Sequence, residues 1–296
     1  MAINVHFQHD SDYTGRFMDP LISRALGATV THDTERRPDL FVKGHNFVGG
    51  KRGQKIYPDV PYIICSGEAV PVPWNGRQAP LFELNTFHCD RPRSIHFPHL
   101  LAEIRDIARP DPMPAKRWCL AYSNSNPVAI RNAVFAALKR REPTCYAFGR
   151  CMTSADRPFS LKRDEREQNG QRFREFAFYI AMENRITPGY LTEKIGHAFN
   201  AGTVPLYWGD TACVNSFFNR DAFINVLDFT TTDKLAEHVI NVWRDPQKLQ
   251  RYLDAPIFAP GDLFQEYRKI YTEYAPWQRP AYDALLEAFP DRRPSS

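Results

Sequence analysis

The stretch Glu183-Asn184-Arg185-Ile186-Thr187-Pro188-Gly189-Tyr190-Leu191-Thr192-Glu193-Lys194 gathers carboxylate, amide, hydroxyl and ammonium groups between two apolar runs. Before it, Phe176 to Met182 is continuously apolar, the pattern of a parallel strand buried on both faces. After it, Glu193 to Asn200 reads as a short helix that Thr192 can cap and Ala201-Gly202 closes. Where a strand ends and a helix begins, unpaired backbone N–H groups and the positive end of the helix dipole favour phosphate. Lys194 adds a full positive charge there. A second cation has a similar setting. Trp118 to Tyr122 reads as a strand, Asn126-Pro127 as an N-cap with proline at the first helical position, and Val128 to Arg140 as an amphipathic helix carrying Arg131 in its first turn. If the two strands are neighbours, Arg131 can offer a bidentate guanidinium to the same phosphates. The plainer alternative for Glu193 and Lys194 is a charged first turn. For Ser123, Asn124 and Asn126, a nucleotide loop competes with an N-cap and a hydroxyl-stabilised turn.

These groups need a scaffold, and the surrounding pattern supplies one. Thr203 to Trp208 gives another strand, so residues 176–208 form a βαβ unit. Its right-handed crossover makes the strands parallel and puts the helix start at their C-terminal edge, where open α/β sheets bind ligands. Ala222 to Leu227 reads as a strand, and Asp233 to Arg244 and Pro246 to Leu253 as helices. The polar run Arg150 to Gln171 reads as a solvated excursion. In the first third, Ile3 to Phe7, Leu40 to Val42 and Tyr62 to Cys65 read as strands, with a helical pattern at Pro20 to Leu26. Three prolines between Arg109 and Lys116 forbid a continuous helix. The expected organisation is an α/β domain over 1–110, a linker over 111–116, a second α/β domain over 117–260, and a C-terminal segment over 261–296 whose aromatic Asp262–Tyr274 run packs back on the first domain.

Composition narrows the class. At 296 residues the chain is long enough for two domains. Its 43% hydrophobic residues, with 21 Phe and 13 Tyr, exclude intrinsic disorder. A net charge of +4 from interspersed signs gives no nucleic-acid footprint. Six cysteines without a CxxC pair indicate reduced thiols and no metal cluster. No basic-then-apolar leader opens the sequence and no apolar run spans a bilayer. The expectation is a cytoplasmic protein that touches a membrane at most peripherally. Gly44 to Arg52 fails the phosphate-loop pattern, because Gly50 separates the second spaced glycine from Lys51 and Arg52 stands where a hydroxyl belongs. The pairs His6/His9 and His96/His99 lie in strand-like or Pro-broken segments, which does not suit a metal on a helix.

Asn184, Tyr190, Glu193 and Lys194, followed by Ala-Gly-Thr-Val-Pro-Leu-Tyr-Trp-Gly at 201–209, resemble the donor-binding signature of the α-1,3-fucosyltransferases, glycosyltransferase family 10. Ser123 to Ala133 resembles that family's loop and helix with a phosphate-binding arginine, here Arg131. Pro38-Asp39-Leu40 and Ser66-Gly67-Glu68 resemble its N-terminal strand and the Gly-Glu bearing the base. Departures are Met182 in place of the usual Phe, a longer loop between Arg131 and Asn184, and a weak match after Glu68.

The resemblance implies a GT-B fold, two Rossmann-like domains facing a cleft, and a soluble, bacterial-type enzyme. It implies inverting transfer of L-fucose from GDP-fucose to a glycan hydroxyl, α-1,3 to GlcNAc or glucose of a lactosamine-type or surface glycan, without metal or other cofactor. Glu68 would be the general base, and Arg131 and Lys194 would stabilise departing GDP. Tyr190 would donate a further hydrogen bond, Glu193 would hold sugar hydroxyls, and Asn184 would orient the donor. Trp74, Phe82 and His88 stand in the acceptor-side loops, where they either stack on a sugar or pack. The competing readings are another GDP-sugar as donor, or a nucleotide-sugar or glycan binder without turnover.

Overall fold

The computed structural model describes residues 2–7, 11–44, 57–72, 74, 79–98, 100, 107–161, 170–261, 266 and 278–292. The chain forms two compact units. The first comprises residues 1–105, Thr187–Thr192 and 262–296, the second 106–186 and 193–261. Each is a Rossmann-like α/β unit on a largely parallel sheet, as expected for each half of a GT-B protein.

In the first unit, β1 (Ala2–Phe7), β2 (Thr29–Thr31), β3 (Leu40–Lys43), β4 (Tyr62–Ser66), β5 (Glu83–Asn85) and β6 (Ser94–His96) lie in the order β2-β1-β3-β4-β5-β6. All pairings are parallel. Helix α1 (Ser11–Leu26) is longer than the expected Pro20–Leu26 and carries Pro20 inside it. It buries Phe17, Met18, Leu21, Ile22 and Ala25, a spacing that makes one helical face. Each of the four larger side chains contributes roughly 1.5–3 kcal/mol when fully buried.

In the second unit, β7 (Trp118–Tyr122) is followed by α2 (Ala129–Lys139), β8 (Cys145–Gly149) and β9 (Met152–Thr153). Then come β10 (Phe176–Met182), α3 (Lys194–Asn200), β11 (Val204–Trp208), α4 (Thr211–Phe217), β12 (Ile224–Asn225), α5 (Thr232–Trp243) and α6 (Pro246–Asp254). Helix α7 (Arg279–Ala288) belongs to the first unit and packs on α1. The sheet order is β12-β11-β10-β7-β8-β9, parallel except for the β8–β9 hairpin. The chain leaves β7 for β8 on one side and later adds β10 on the other. The topological switch point therefore lies between β7 and β10, where open α/β sheets leave a ligand crevice.

Several local expectations need correction. Asn126 does not cap α2. Val128 stands at the cap, with its carbonyl accepting from Asn132 N–H at 3.3 Å, while Asn126 directs its carbonyl to Arg131. Thr192 does not occupy the cap of α3 either, because the first helical bond runs from His197 N–H to the Glu193 carbonyl. The Arg150–Gln171 excursion contains β9, and the strand expected at Ala222–Leu227 shrinks to Ile224–Asn225 between two 3-10 turns. The proline-rich stretch at 111–116 is built into the second unit: Met113 packs on Gly202, and Lys116 Nζ donates to the carbonyls of Arg174 and Gly202 at 2.7 and 2.6 Å. Apart from Glu266, the Asp262–Tyr274 run lies outside the described residues, as do 45–52 of the glycine-rich stretch, His9 and His99.

Candidate active site

Strand β10 buries Phe176, Ala177, Phe178, Ile180, Ala181 and Met182, and its end delivers Glu183 and Asn184 to the switch point. Arg131, third residue of α2, reaches the same place. Its side chain is fully buried, and its Nε and Nη2 donate to the Met182 carbonyl, the Nε bond being 3.1 Å. Nη2 also donates to Asn184 Oδ1 at 2.9 Å, and Nη1 donates to the Asn126 carbonyl at 3.3 Å. The guanidinium thus ties the loop after β7, the start of α2 and the end of β10 together. A lysine cannot reproduce this, since only the planar fork reaches three acceptors in one plane.

Lys194 opens α3 and enters the cluster from the other side. Its Nζ lies 3.2 Å from Glu183 Oε2 and 3.6 Å from Glu193 Oε1. Glu183 has no exposure at all, while the Lys194 and Glu193 side chains retain 20% and 25%. Burial works against the ammonium and Arg131 adds to that, but the two carboxylates prevail and raise its pKa above the ordinary lysine value. The cluster balances Arg131 and Lys194 against Glu183 and Glu193. Its cations are held without excess charge, on rigid supports, at a helix start. Nearby, burial and Glu193 push the Tyr179 phenol up to about 12, and its hydroxyl donates to the Ser123 carbonyl at 3.5 Å.

The Ser123–Asn126 loop is held by close approach. A Cβ on Gly149 would lie 1.9 Å from the Asn124 carbonyl oxygen, so only glycine lets the end of β8 pass under this loop. Asn124 also accepts from Cys151 Sγ at 3.0 Å.

Glu68 and Tyr190 belong to the first unit. Glu68 is exposed in the turn after β4, at the C-terminal edge of that sheet, and its N–H donates to Ser66 Oγ at 3.3 Å. Its neighbour Ala69 packs with Phe87 on the buried Tyr190 ring. The structure therefore joins Arg131, Asn184, Glu193 and Lys194 in one cluster and sets Glu68 and Tyr190 beside another. Among the acceptor-side aromatics, Phe82 is a core residue. Trp74 donates its indole N–H to the buried Glu83, and the His88 ring lies tilted against His96 with centroids 4.0 Å apart. Glu183 is the residue of that stretch to which sequence reasoning gave no role. The available signal was a carboxylate directly after a strand buried on both faces, a position that requires a counter-ion.

Among the described residues there is no cluster with the make-up of a metal site, and no helix is long and apolar enough to cross a membrane.

Residues 113–255 match the family described as glycosyltransferase family 10 (fucosyltransferase) C-term. An alpha-(1,3)-fucosyltransferase of Helicobacter pylori is 31% identical over 153 residues, 51% of this chain and 29% of that protein. A GDP-fucose protein O-fucosyltransferase 3 of Gallus gallus is 26% identical over 121 residues, 38% of this chain and 26% of that protein. These matches thus span less than a third of the relatives' own lengths. The crystal structure of an alpha1,3-fucosyltransferase with GDP has a TM-score of 0.63 and 18% identity, covering 98% of this chain and 90% of that one. From residue 113 to residue 255, just under half of its length, this chain matches the C-terminal domain of glycosyltransferase family 10, the fucosyltransferases.

Proposed function

We propose that the protein transfers L-fucose from GDP-fucose, with inversion, to a hydroxyl of an acceptor glycan. The observation that carries this reading is the cluster at the β7/β10 switch point, where Arg131 holds Asn184 and Lys194 opens α3 inside a family 10 domain. In this reaction the acceptor oxygen attacks the anomeric carbon while the bond from that carbon to the β-phosphate oxygen breaks. The acceptor loses its proton to a base, and GDP leaves with the bonding electrons. Glu68, exposed at a sheet edge, is the base in this reading. Lys194, which keeps some exposure, meets the developing phosphate charge. Arg131 contributes a fixed positive field from behind Asn184. Glu193 takes donor hydroxyl hydrogens while Glu183 keeps Lys194 in place. These two cations supply the charge stabilisation, so the reaction is expected to proceed in EDTA.

The test is GDP release from GDP-fucose, GDP-mannose and UDP-galactose, in EDTA, with N-acetyllactosamine-type, glucose-terminated and polypeptide acceptors. Release stimulated by a glycan acceptor from GDP-fucose alone is expected. Glu68→Gln should retain GDP binding and lose roughly 10²–10⁴ in turnover. Equal turnover of another GDP-sugar would refute the donor assignment. Stimulation by the polypeptide alone would refute the glycan acceptor.

A further inference from the structure

Between Ile186 and Glu193 the chain leaves the second unit, and Thr187–Thr192 is built into the first. The segment is fastened at three carbonyls. His88 N–H donates to Pro188 at 2.8 Å, His96 Nε2 lies 2.9 Å from the Gly189 oxygen, and Thr86 Oγ1 and Leu100 N–H each donate to Leu191 at 3.3 Å. A carbonyl oxygen only accepts, so the His96 proton sits on Nε2. Gly189 has φ +78°, and a Cβ there would lie 2.6 Å from His96 Nε2. The backbone is bent into the left-handed region so that its carbonyl meets the imidazole. Tyr190, Leu191 and Thr192 are buried in succession, Ala69 and Phe87 receiving the tyrosine. Six residues anchored this closely end one peptide bond before Glu193 and two before Lys194.

We infer that His96 is a positioning residue: by latching the Gly189 carbonyl it fixes the residue from which Glu193 and Lys194 emerge, and so sets the donor site without touching the donor. This rests on the reading of Glu193 and Lys194 as nucleotide-sugar contacts. His96 is well suited to the role, because the His88 and Leu100 donors are backbone groups while its ring fills the space a side chain at 189 would need.

The experiment is calorimetric titration of the full chain with GDP, alongside steady-state kinetics, for His96→Ala, His96→Gln, Thr86→Val and Lys194→Ala. Loss of one latch bond should weaken GDP binding roughly tenfold in His96→Ala. His96→Gln, whose amide can donate to the same carbonyl, should return to within about threefold of the native chain. The donor KM should rise with GDP Kd while the acceptor KM stays fixed, a split that general loosening would not produce. Thr86→Val removes the Leu191 bond with little change of shape and should weaken GDP in the same direction, so it decides the matter if His96→Ala does not fold. Native GDP affinity in the folded His96 and Thr86 variants, with weakened binding in Lys194→Ala, overturns the latch. Native affinity in Lys194→Ala overturns the donor-site reading beneath it.

Discussion

Replacing Lys194 by methionine tests the cluster directly. The substitution keeps the length and apolar stem of the side chain and removes only the ammonium. Glu183 then loses its partner at 3.2 Å in a place with no solvent exposure. Breaking a buried pair from one side costs about 3–5 kcal/mol, because a charge is left uncompensated. The 20% exposure of Lys194 calls for the lower end, about 3 kcal/mol. In a unit of this size that corresponds to a fall of roughly 6–12 °C in Tm. Urea unfolding followed by tryptophan fluorescence is a suitable assay, since Trp118, Trp208 and Trp243 all lie in the second unit. Glu183→Gln combined with Lys194→Met should recover more than half of the loss, since the stranded charge is gone. Additive losses in the double variant, or a Lys194→Met chain as stable as the native one, would show that no such pair supports the fold.

Three other outcomes follow from the same geometry. Because the Lys194 pKa is raised in the folded chain, its contribution is complete below the unfolded lysine value and is lost as pH rises through the folded one. Stability of the native chain should therefore fall above about pH 10.5 more steeply than that of Lys194→Met, as urea midpoints would report. Gly149→Ala forces a methyl into the Asn124 backbone and should cost about 1–3 kcal/mol while weakening GDP binding, measured by unfolding and titration. Arg131→Lys keeps the charge but cannot serve Met182, Asn184 and Asn126 together; a loss of about 2–4 kcal/mol is expected, and unchanged unfolding would contradict the tie.

Much of the second unit was legible from sequence because its strands are continuous apolar runs. The spans 118–122 and 176–182 coincide with β7 and β10 residue for residue. Strands such as β2, β5 and β6, three residues each, carry too few side chains to show a period. The proximity of Arg131 to Asn184 was expected only if β7 and β10 were neighbours, and parallel pairing of those strands supplies that condition. That Arg131 would be fully buried was not legible, since a charged residue in a helix's first turn is ordinarily solvated. Nor was the transfer of Thr187–Thr192 to the first unit. Tyr190 and Leu191 signal burial, but nothing local says in which core.

That transfer bears on how such chains can be recombined. The stretch at 113–255 that matches the family 10 domain is contiguous in sequence, yet it contains six residues whose cores and hydrogen bonds lie in the other unit. A chimera that exchanges this domain between relatives also exchanges part of its neighbour's interior. Its success then depends on whether the recipient offers a pocket for Tyr190 and a donor for Gly189. An isolated 113–255 fragment would present Tyr190 and Leu191 to water, so modularity in the gene is not modularity in the molecule.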